Sequence, residues 1–161
     1  MKKQQKGFSL IELLIVVAII LIIAAIAIPN LLRSKMAANE ASAVGSLRSI
    51  NTAEVTYSST YPTVGFGTLV QLSYGGACAT ASSANACLID DTLAAGTKSG
   101  FKFAASNLTG TPVSTYSVNA DAITPGSSGA RAFFTNQTGV IHVSPTAGGA
   151  TPATATDPAL Q

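Results

Sequence analysis

One apolar run near the start of the chain limits what the chain can fold into. Residues 8–28 are 21 positions of mostly Ile, Leu, Val and Ala, interrupted by a single carboxylate, Glu12. At about 1.5 Å per helical residue they span roughly 31 Å, close to the thickness of the hydrocarbon core of a bilayer. A charge in such a segment is costly and marks a functional position by default. The run therefore predicts a membrane-embedded helix in which Glu12 needs a partner.

A cut between Gly7 and Phe8 would supply that partner. The new α-amine of Phe8 lies at i,i+4 spacing from Glu12, and Glu12 then lies at the positive end of the helix dipole. Upstream stand three lysines, at positions 2, 3 and 6, which favour a cytoplasmic N-terminus. Two other interpretations stay open: an uncleaved anchor, or a secretory signal cleaved after Ala25, Ile26 and Ala27. All three send the rest of the chain out of the cytoplasm.

Residues 6–14, which read KGFSLIELL, resemble the class III signal of type IV prepilins and pseudopilins. The resemblance implies that a prepilin peptidase cleaves after Gly7 and N-methylates Phe8, and that Glu12 acts in filament assembly. Pro29 resembles the proline that the family places within its long N-terminal helix. The family is structural, so the resemblance implies neither an enzyme nor a cofactor.

The rest of the chain predicts a head attached to the second half of this helix. The helix should kink at Pro29, because a proline removes one hydrogen bond and clashes one turn back. It should end before Tyr61 and Pro62, since the residue before a proline avoids helical conformation. Its apolar stripe has Val44, Leu47, Ile50 and Tyr57, and its more polar side has Arg33, Lys35, Glu40 and Arg48. The predicted organisation is a leader (1–7), a membrane or filament-core helix (8–29), its amphipathic half (30–60), a globular head (61–144) and a flexible tail (145–161).

Alternating residues and a hairpin signal after residue 98 predict the sheet of the head. Strands are expected at residues 100–104, 115–123, 131–135 and 140–144, with Tyr116, Val118 and Ala120 on one face. Residues 136–139 end in glycine and predict a hairpin connection. Residues 68–72 fit a short helix or a strand equally well, and residues 92–94 fit a brief turn. The fold class is α+β: a long N-terminal helix packed on an antiparallel sheet of three to four strands.

Few residues of the head indicate chemistry. Cys78 and Cys87 are an even pair in an exported chain, which predicts a disulfide. A lone histidine, His142, cannot build a zinc site and is expected on a strand surface. The adjacent acids Asp90 and Asp91 fit a solvated loop better than a calcium site. Asparagines 107 and 136 begin N-x-[ST] triplets, which arise often by chance. Without the leader lysines six basic residues face seven acidic ones, so no strong nucleic-acid signal remains.

The function predicted from these features is a structural subunit that polymerises into a type IV pilus, used in adhesion, motility or DNA uptake. The alternatives are the major pseudopilin of a type II secretion system and an anchored, exported binding module. The expected partners are further copies of the chain, the prepilin peptidase, the membrane before assembly, and an inner-membrane assembly platform driven by a separate ATPase. The subunit is expected in the inner membrane, with its N-terminus cytoplasmic and its head periplasmic, and later in an extracellular filament.

Overall fold

A computed structural model describes residues 8–76, 78, 80–144 and 152–160. The element order is α1 (Leu10–Thr60), α2 (Leu69–Leu72), α3 (Asp91–Ala94), β1 (Thr97–Lys98), β2 (Phe101–Gly110), β3 (Val113–Ala122), β4 (Phe133–Asn136) and β5 (Ile141–Val143). The chain divides into two compact units, Met1–Lys35 and Met36–Gln161, and the second is called the head unit here. The predicted α+β class is confirmed.

Helix α1 ends where the sequence predicts. Its last residue is Thr60, directly before Tyr61 and Pro62. Within the head unit its predicted apolar stripe is buried: Leu47, Ile50 and Tyr57 are fully inaccessible, and Val44 is nearly so. Tyr57 also donates a hydrogen bond of 2.6 Å to the carbonyl of Ser83, which ties the last turns of α1 to the loop between the cysteines.

The sheet is an antiparallel meander in the order β1-β2-β3-β4-β5. It has one strand more than the largest number predicted, because the two-residue β1 is too short to show alternation in the sequence. Across the sheet, Phe103 pairs with Ala120, Ala120 with Phe133, and Phe133 with Val143. The side chains of Tyr116, Val118 and Ala120 are buried, as expected for one apolar face. They form a single core with the α1 stripe.

Residues 152–160, which the sequence assigns to a flexible tail, make backbone hydrogen bonds with β5. The Val143 amide donates to the carbonyl of Pro158 at 2.9 Å, and the Leu160 amide donates to Ile141 at 2.7 Å. His142 is half-buried rather than on an open surface, and its Nδ1 donates to the carbonyl of Asp157 at 2.7 Å. This C-terminal segment therefore lines the free edge of β5. Residues 145–151 of the predicted tail lie outside the described residues.

Candidate functional site

The start of α1 carries the residues that the sequence singles out for assembly. The helix begins at Leu10, so Glu12 lies in its first turn, where backbone N–H groups lack helical partners. Glu12 Oε2 accepts a hydrogen bond of 2.9 Å from the amide of Ser9. A carboxylate there is also favoured by the helix dipole. The Glu12 carboxylate thus binds the amide of the residue that directly follows Phe8. Gly7 and the rest of the leader lie outside the described residues.

The apolar part of α1 presents its side chains to the surroundings. Its most apolar 18-residue window has a mean hydropathy of 3.3 and none of it is buried, so by length and composition this helix can cross a membrane. Large side chains that are about half exposed or more include Ile11, Leu14, Ile20, Ile23 and Ile28. Pro29 lies inside α1. The kink and the assembly role of these residues stay predictions.

Glu40 belongs to the more polar side of α1 but does not face the solvent. It is buried, and its Oε1 accepts the amides of Ala130 at 2.8 Å and Arg131 at 3.1 Å. Its Oε2 lies 2.9 Å from Arg131 Nε and 2.8 Å from Arg131 Nη2. Four donors on one carboxylate satisfy it despite burial, and the paired guanidinium contacts add geometric specificity. Glu40 therefore fastens α1 to the segment that leads into β4.

Glu54 is a second buried carboxylate that sequence reasoning missed. Its Oε2 accepts the amide of Gly67 at 2.9 Å, whereas Oε1 has no hydrogen-bond partner in the described part of the chain. Burial raises the pKa of Glu54 to about 7, against the opposing effect of the Gly67 hydrogen bond. The signal was available: Glu40, Leu47 and Glu54 are spaced by seven residues, so both acids follow the apolar stripe.

Asn51 links α1 to the hairpin formed by β4 and β5. Its Nδ2 donates to Thr135 Oγ1 at 2.9 Å and lies 3.2 Å from the carbonyl of Gly139. Its Oδ1 accepts the Tyr116 hydroxyl at 3.0 Å. These bonds satisfy polar groups at the edge of the core and set the register between helix and sheet.

The predicted disulfide is present between Cys78 and Cys87, whose Cα atoms are 5.9 Å apart. It lies in the connection between α2 and α3. Asp90, three residues after Cys87, caps α3 by accepting the Leu93 amide at 2.8 Å. It also forms an ion pair with Lys98 at 2.7 Å. The hydrogen bond from Lys98 is the main cause that lowers the pKa of Asp90 to about 2. Within the described residues no cluster of three or more His, Cys, Asp or Glu side chains is placed to hold a metal ion.

An apolar helix with a carboxylate in its first turn, attached to a small α+β head, defines a pilin-like class of protein. Residues 2–28 match the family model of the prokaryotic N-terminal methylation motif. The chain is also similar to the type IV wide pilus major component PilA4 of Thermus thermophilus, with 60% identity over 38 residues. That match covers 24% of this chain and 29% of the relative, so the chain spans less than a third of the relative's length. No solved structure matches the chain.

Both matches fall on the segment from which the sequence resemblance was drawn, and the resemblance to the type IV pilins is confirmed. Type IV pilins are structural subunits, and the prediction that the chain is not an enzyme is confirmed on that ground.

Proposed function

We propose that this chain is a structural subunit that polymerises into a type IV pilus. The observation that carries the proposal is the start of α1, where the Glu12 carboxylate accepts the amide of Ser9, the residue after Phe8, at the beginning of an exposed apolar helix. Lipid covers such a helix in the stored subunit. Once extracted from lipid, the helix can bury its apolar surface only against identical helices, which drives polymerisation.

The ion pair in this proposal gives the filament its register. Leader cleavage after Gly7 frees an ammonium on Phe8, and Glu12 of an incoming copy meets the ammonium of a neighbour. In a dry core such a pair specifies alignment more than it adds net stability. Before assembly, the Ser9 amide donates a hydrogen bond of 2.9 Å to the Glu12 carboxylate, which has no ammonium partner from a neighbouring subunit at that stage.

The proposed route needs three kinds of partner besides further copies of the chain. A prepilin peptidase cuts and methylates the N-terminus, and an inner-membrane platform driven by a separate ATPase extracts the subunit. The membrane holds the subunit before assembly, with its N-terminus cytoplasmic and its head periplasmic. The name of the Thermus relative, a pilus component, favours a pilus over the pseudopilin alternative.

The first prediction is that Glu12→Ala abolishes or strongly reduces filaments while insertion and leader cleavage persist. Removing a carboxylate from an apolar segment eases insertion. Assembly fails because the Phe8 ammonium stays unpaired in the core, at roughly 3–5 kcal/mol for a broken buried pair. The measurement is shear fractionation and electron microscopy of cells, with the membrane level of the subunit as control.

Two conservative variants separate charge pairing from helix capping. Glu12→Gln keeps an oxygen that can accept the Ser9 amide but carries no charge, so it should rescue little. Glu12→Asp keeps the charge on a shorter stem and should rescue partly. Normal filaments from the Gln variant would assign Glu12 to capping alone. Normal filaments from the Ala variant would reject a role in assembly.

A further inference from the structure

The chain contains two N-x-T triplets, residues 107–109 and residues 136–138, and the structure separates them. Such a triplet in a surface loop is an acceptor for an N-linked glycan when the asparagine amide is available. The triplets share their residue types at both ends. They differ in what their side chains bind, and this difference decides which of them can be modified.

Asn136 ends β4 and is itself half-buried, and residues 137–140, which connect it to β5, are exposed. Its Oδ1 accepts two hydrogen bonds from Thr138, from the backbone N–H at 3.0 Å and from Oγ1 at 2.7 Å. Because a backbone N–H can only donate, the atom that faces it must be the amide oxygen. The orientation of the amide is therefore fixed, and Nδ2 points away from these two donors. The Gly139 amide closes the turn by donating to the Asn136 carbonyl at 2.9 Å.

This turn orients the Asn136 amide in a way that favours glycosylation of its nitrogen. An amide nitrogen is a poor nucleophile because its lone pair is delocalised into the carbonyl group. When a base removes a proton from Nδ2, negative charge develops on Oδ1, and donors already aimed at that oxygen stabilise it. The backbone and hydroxyl of Thr138 are those donors. Within the described residues, the Asn136 side chain makes two hydrogen bonds, and Oδ1 accepts both of them. Neither bond involves Nδ2.

Asn107 has the opposite arrangement. It lies at an irregularity of β2 with a φ of 56°, and its Nδ2 donates to Ser117 Oγ at 2.9 Å. The hydroxyl of Thr109 contacts Thr115 Oγ1 at 2.5 Å, on the neighbouring strand. Asn107 is exposed, but one of the two hydrogens on its Nδ2 is donated to Ser117, and the threonine of its triplet is bound elsewhere.

We propose that Asn136 is an N-glycosylation site and that Asn107 is not. The co-substrate is a glycosyl diphosphate, carried on a polyprenyl lipid or on a nucleoside. A base of the transferase takes one Nδ2 proton, Nδ2 forms a bond to the anomeric carbon, and the bond from that carbon to the diphosphate oxygen breaks. The diphosphate leaves with the bonding electron pair, and no redox partner is needed. This site goes beyond the proposed polymerisation and does not depend on it.

Trypsin separates the two triplets, which makes the test direct. Cleavage after Lys102 and Arg131 places Asn107 in the peptide 103–131 and Asn136 in the peptide 132–161. The full chain is purified from its own cells, and electron-transfer fragmentation locates any added mass. We expect a glycan on Asn136 in most copies and none on Asn107. A peptide 132–161 that is unmodified throughout would overturn the proposal, as would a glycan found only on Asn107 or only on serine or threonine.

Three variants complete the experiment. Thr138→Ala should lose the glycan entirely, Thr138→Ser should keep it, and Asn107→Gln should leave it unchanged. A glycan that persists on Asn136 in the Ala variant would contradict the role given to Thr138. Depleting the cells of polyprenyl phosphate distinguishes the two donors: loss of the glycan indicates a lipid-linked sugar, and persistence of the glycan indicates a nucleoside-linked sugar. The same mass spectra report the mature N-terminus, so failure of the glycan and failure of processing are seen separately.

Discussion

At the scale of single residues, the head unit holds the carboxyl group of Glu54 in its core with one hydrogen bond. The charged form is disfavoured there because water cannot solvate it. The negative charge of Glu54 also raises the pKa values of two nearby tyrosines. The pKa of Tyr116 rises to about 12, chiefly through burial and further through Glu54, and the pKa of Tyr57 is raised by burial and then by Tyr61 and Glu54. Glu54 therefore makes the stability of the head depend on pH.

The sign of that dependence follows from the raised pKa. The Glu54 pKa is about 7 in the folded chain against an ordinary value of 4.5, so the folded state binds the extra proton between these values. The contribution of protonated Glu54 to the free energy of unfolding is therefore fully present below pH 4.5. It is lost as the pH rises through 7, which lowers that free energy by on the order of 3 kcal/mol. We predict that Glu54→Gln removes this loss. Thermal unfolding of the full chain in detergent, from about pH 5 to about pH 8, measures it.

The matched control for Glu54 is the exposed acid Asp91, in the first turn of α3. Asp91→Asn should keep the wild-type dependence on pH, because the Asp91 side chain is exposed and lies outside the core that surrounds Glu54. Parallel curves for the wild type and the Glu54→Gln variant would assign the pH dependence to other groups.

At the scale of elements, one small side chain is buried where the C-terminal segment begins. Ala153 is buried against Ala132 and Phe134, and its carbonyl accepts Asn119 Nδ2 at 2.8 Å. We predict that Ala153→Asp detaches the segment and destabilises the head by roughly 1–3 kcal/mol, because a carboxylate would be buried unpaired. Hydrogen exchange at the Val143 amide, which donates to Pro158, should accelerate.

Ala155 is the control within the same segment, since it is exposed. Ala155→Asp introduces the same group two residues further on and should change neither the unfolding temperature nor the exchange of Val143. Equal effects of the two substitutions would show that general charge, and not burial of Ala153, is responsible.

The disulfide acts on the connection between α2 and α3. It joins cysteines nine positions apart, and closing a loop of that size stabilises by roughly 2–3 kcal/mol in the chain-entropy model. Replacing both Cys78 and Cys87 by serine should therefore lower the unfolding temperature of the head. Reductant should lower it by a similar amount in the wild type and leave the double-serine variant unchanged. Two thiols that react with alkylating agent in the non-reduced native chain would contradict the pairing.

Local patterns predicted most of the elements. The end of α1 at Thr60 follows from Pro62, and the buried stripe follows from the spacing of Leu47 and Ile50. Alternation indicates β3 and the first half of β2, and the connection that ends in Gly139 indicates β4 and β5. Residues 68–72, which fitted helix or strand, contain α2, and its N-cap Thr68 forms a capping box with Gln71. These features depend on neighbours close in the chain, which a sequence displays directly.

The features that sequence reasoning missed depend on distant partners. Glu40 is buried because Arg131, 91 positions away, neutralises it, and no local pattern announces that pairing. The C-terminal segment is rich in Ala and Thr and suggests nothing to pack, yet it covers the backbone edge of β5. At the start of α1, the sequence identified Glu12 but not its bond to Ser9, which depends on how the first turn closes.

At the scale of the whole molecule, one helix serves two kinds of environment. Side chains of α1 in the N-terminal unit are apolar and exposed, whereas in the head unit its stripe is buried in the core. The apolar side chains of the N-terminal unit are left exposed, and in the proposed function lipid or other copies of the chain cover them. Removal of the leader, with its three lysines, would change the net charge from +2 to −1 and free the α-amine of Phe8.

That processing step is the last prediction. We expect the mature chain to begin at Phe8 with one N-methyl group, because the Gly7–Phe8 junction follows a short basic leader and belongs to the matched methylation motif. Intact-mass analysis of the purified chain measures it. Gly7→Val should retain the leader and give no filaments, since the Phe8 ammonium is never formed, whereas Ala27→Leu, which blocks the competing signal-peptidase site, should process normally. A mature chain that begins at Ile28 would establish ordinary secretory cleavage, and without residues 8–27 the polymerisation mechanism would have no core helix.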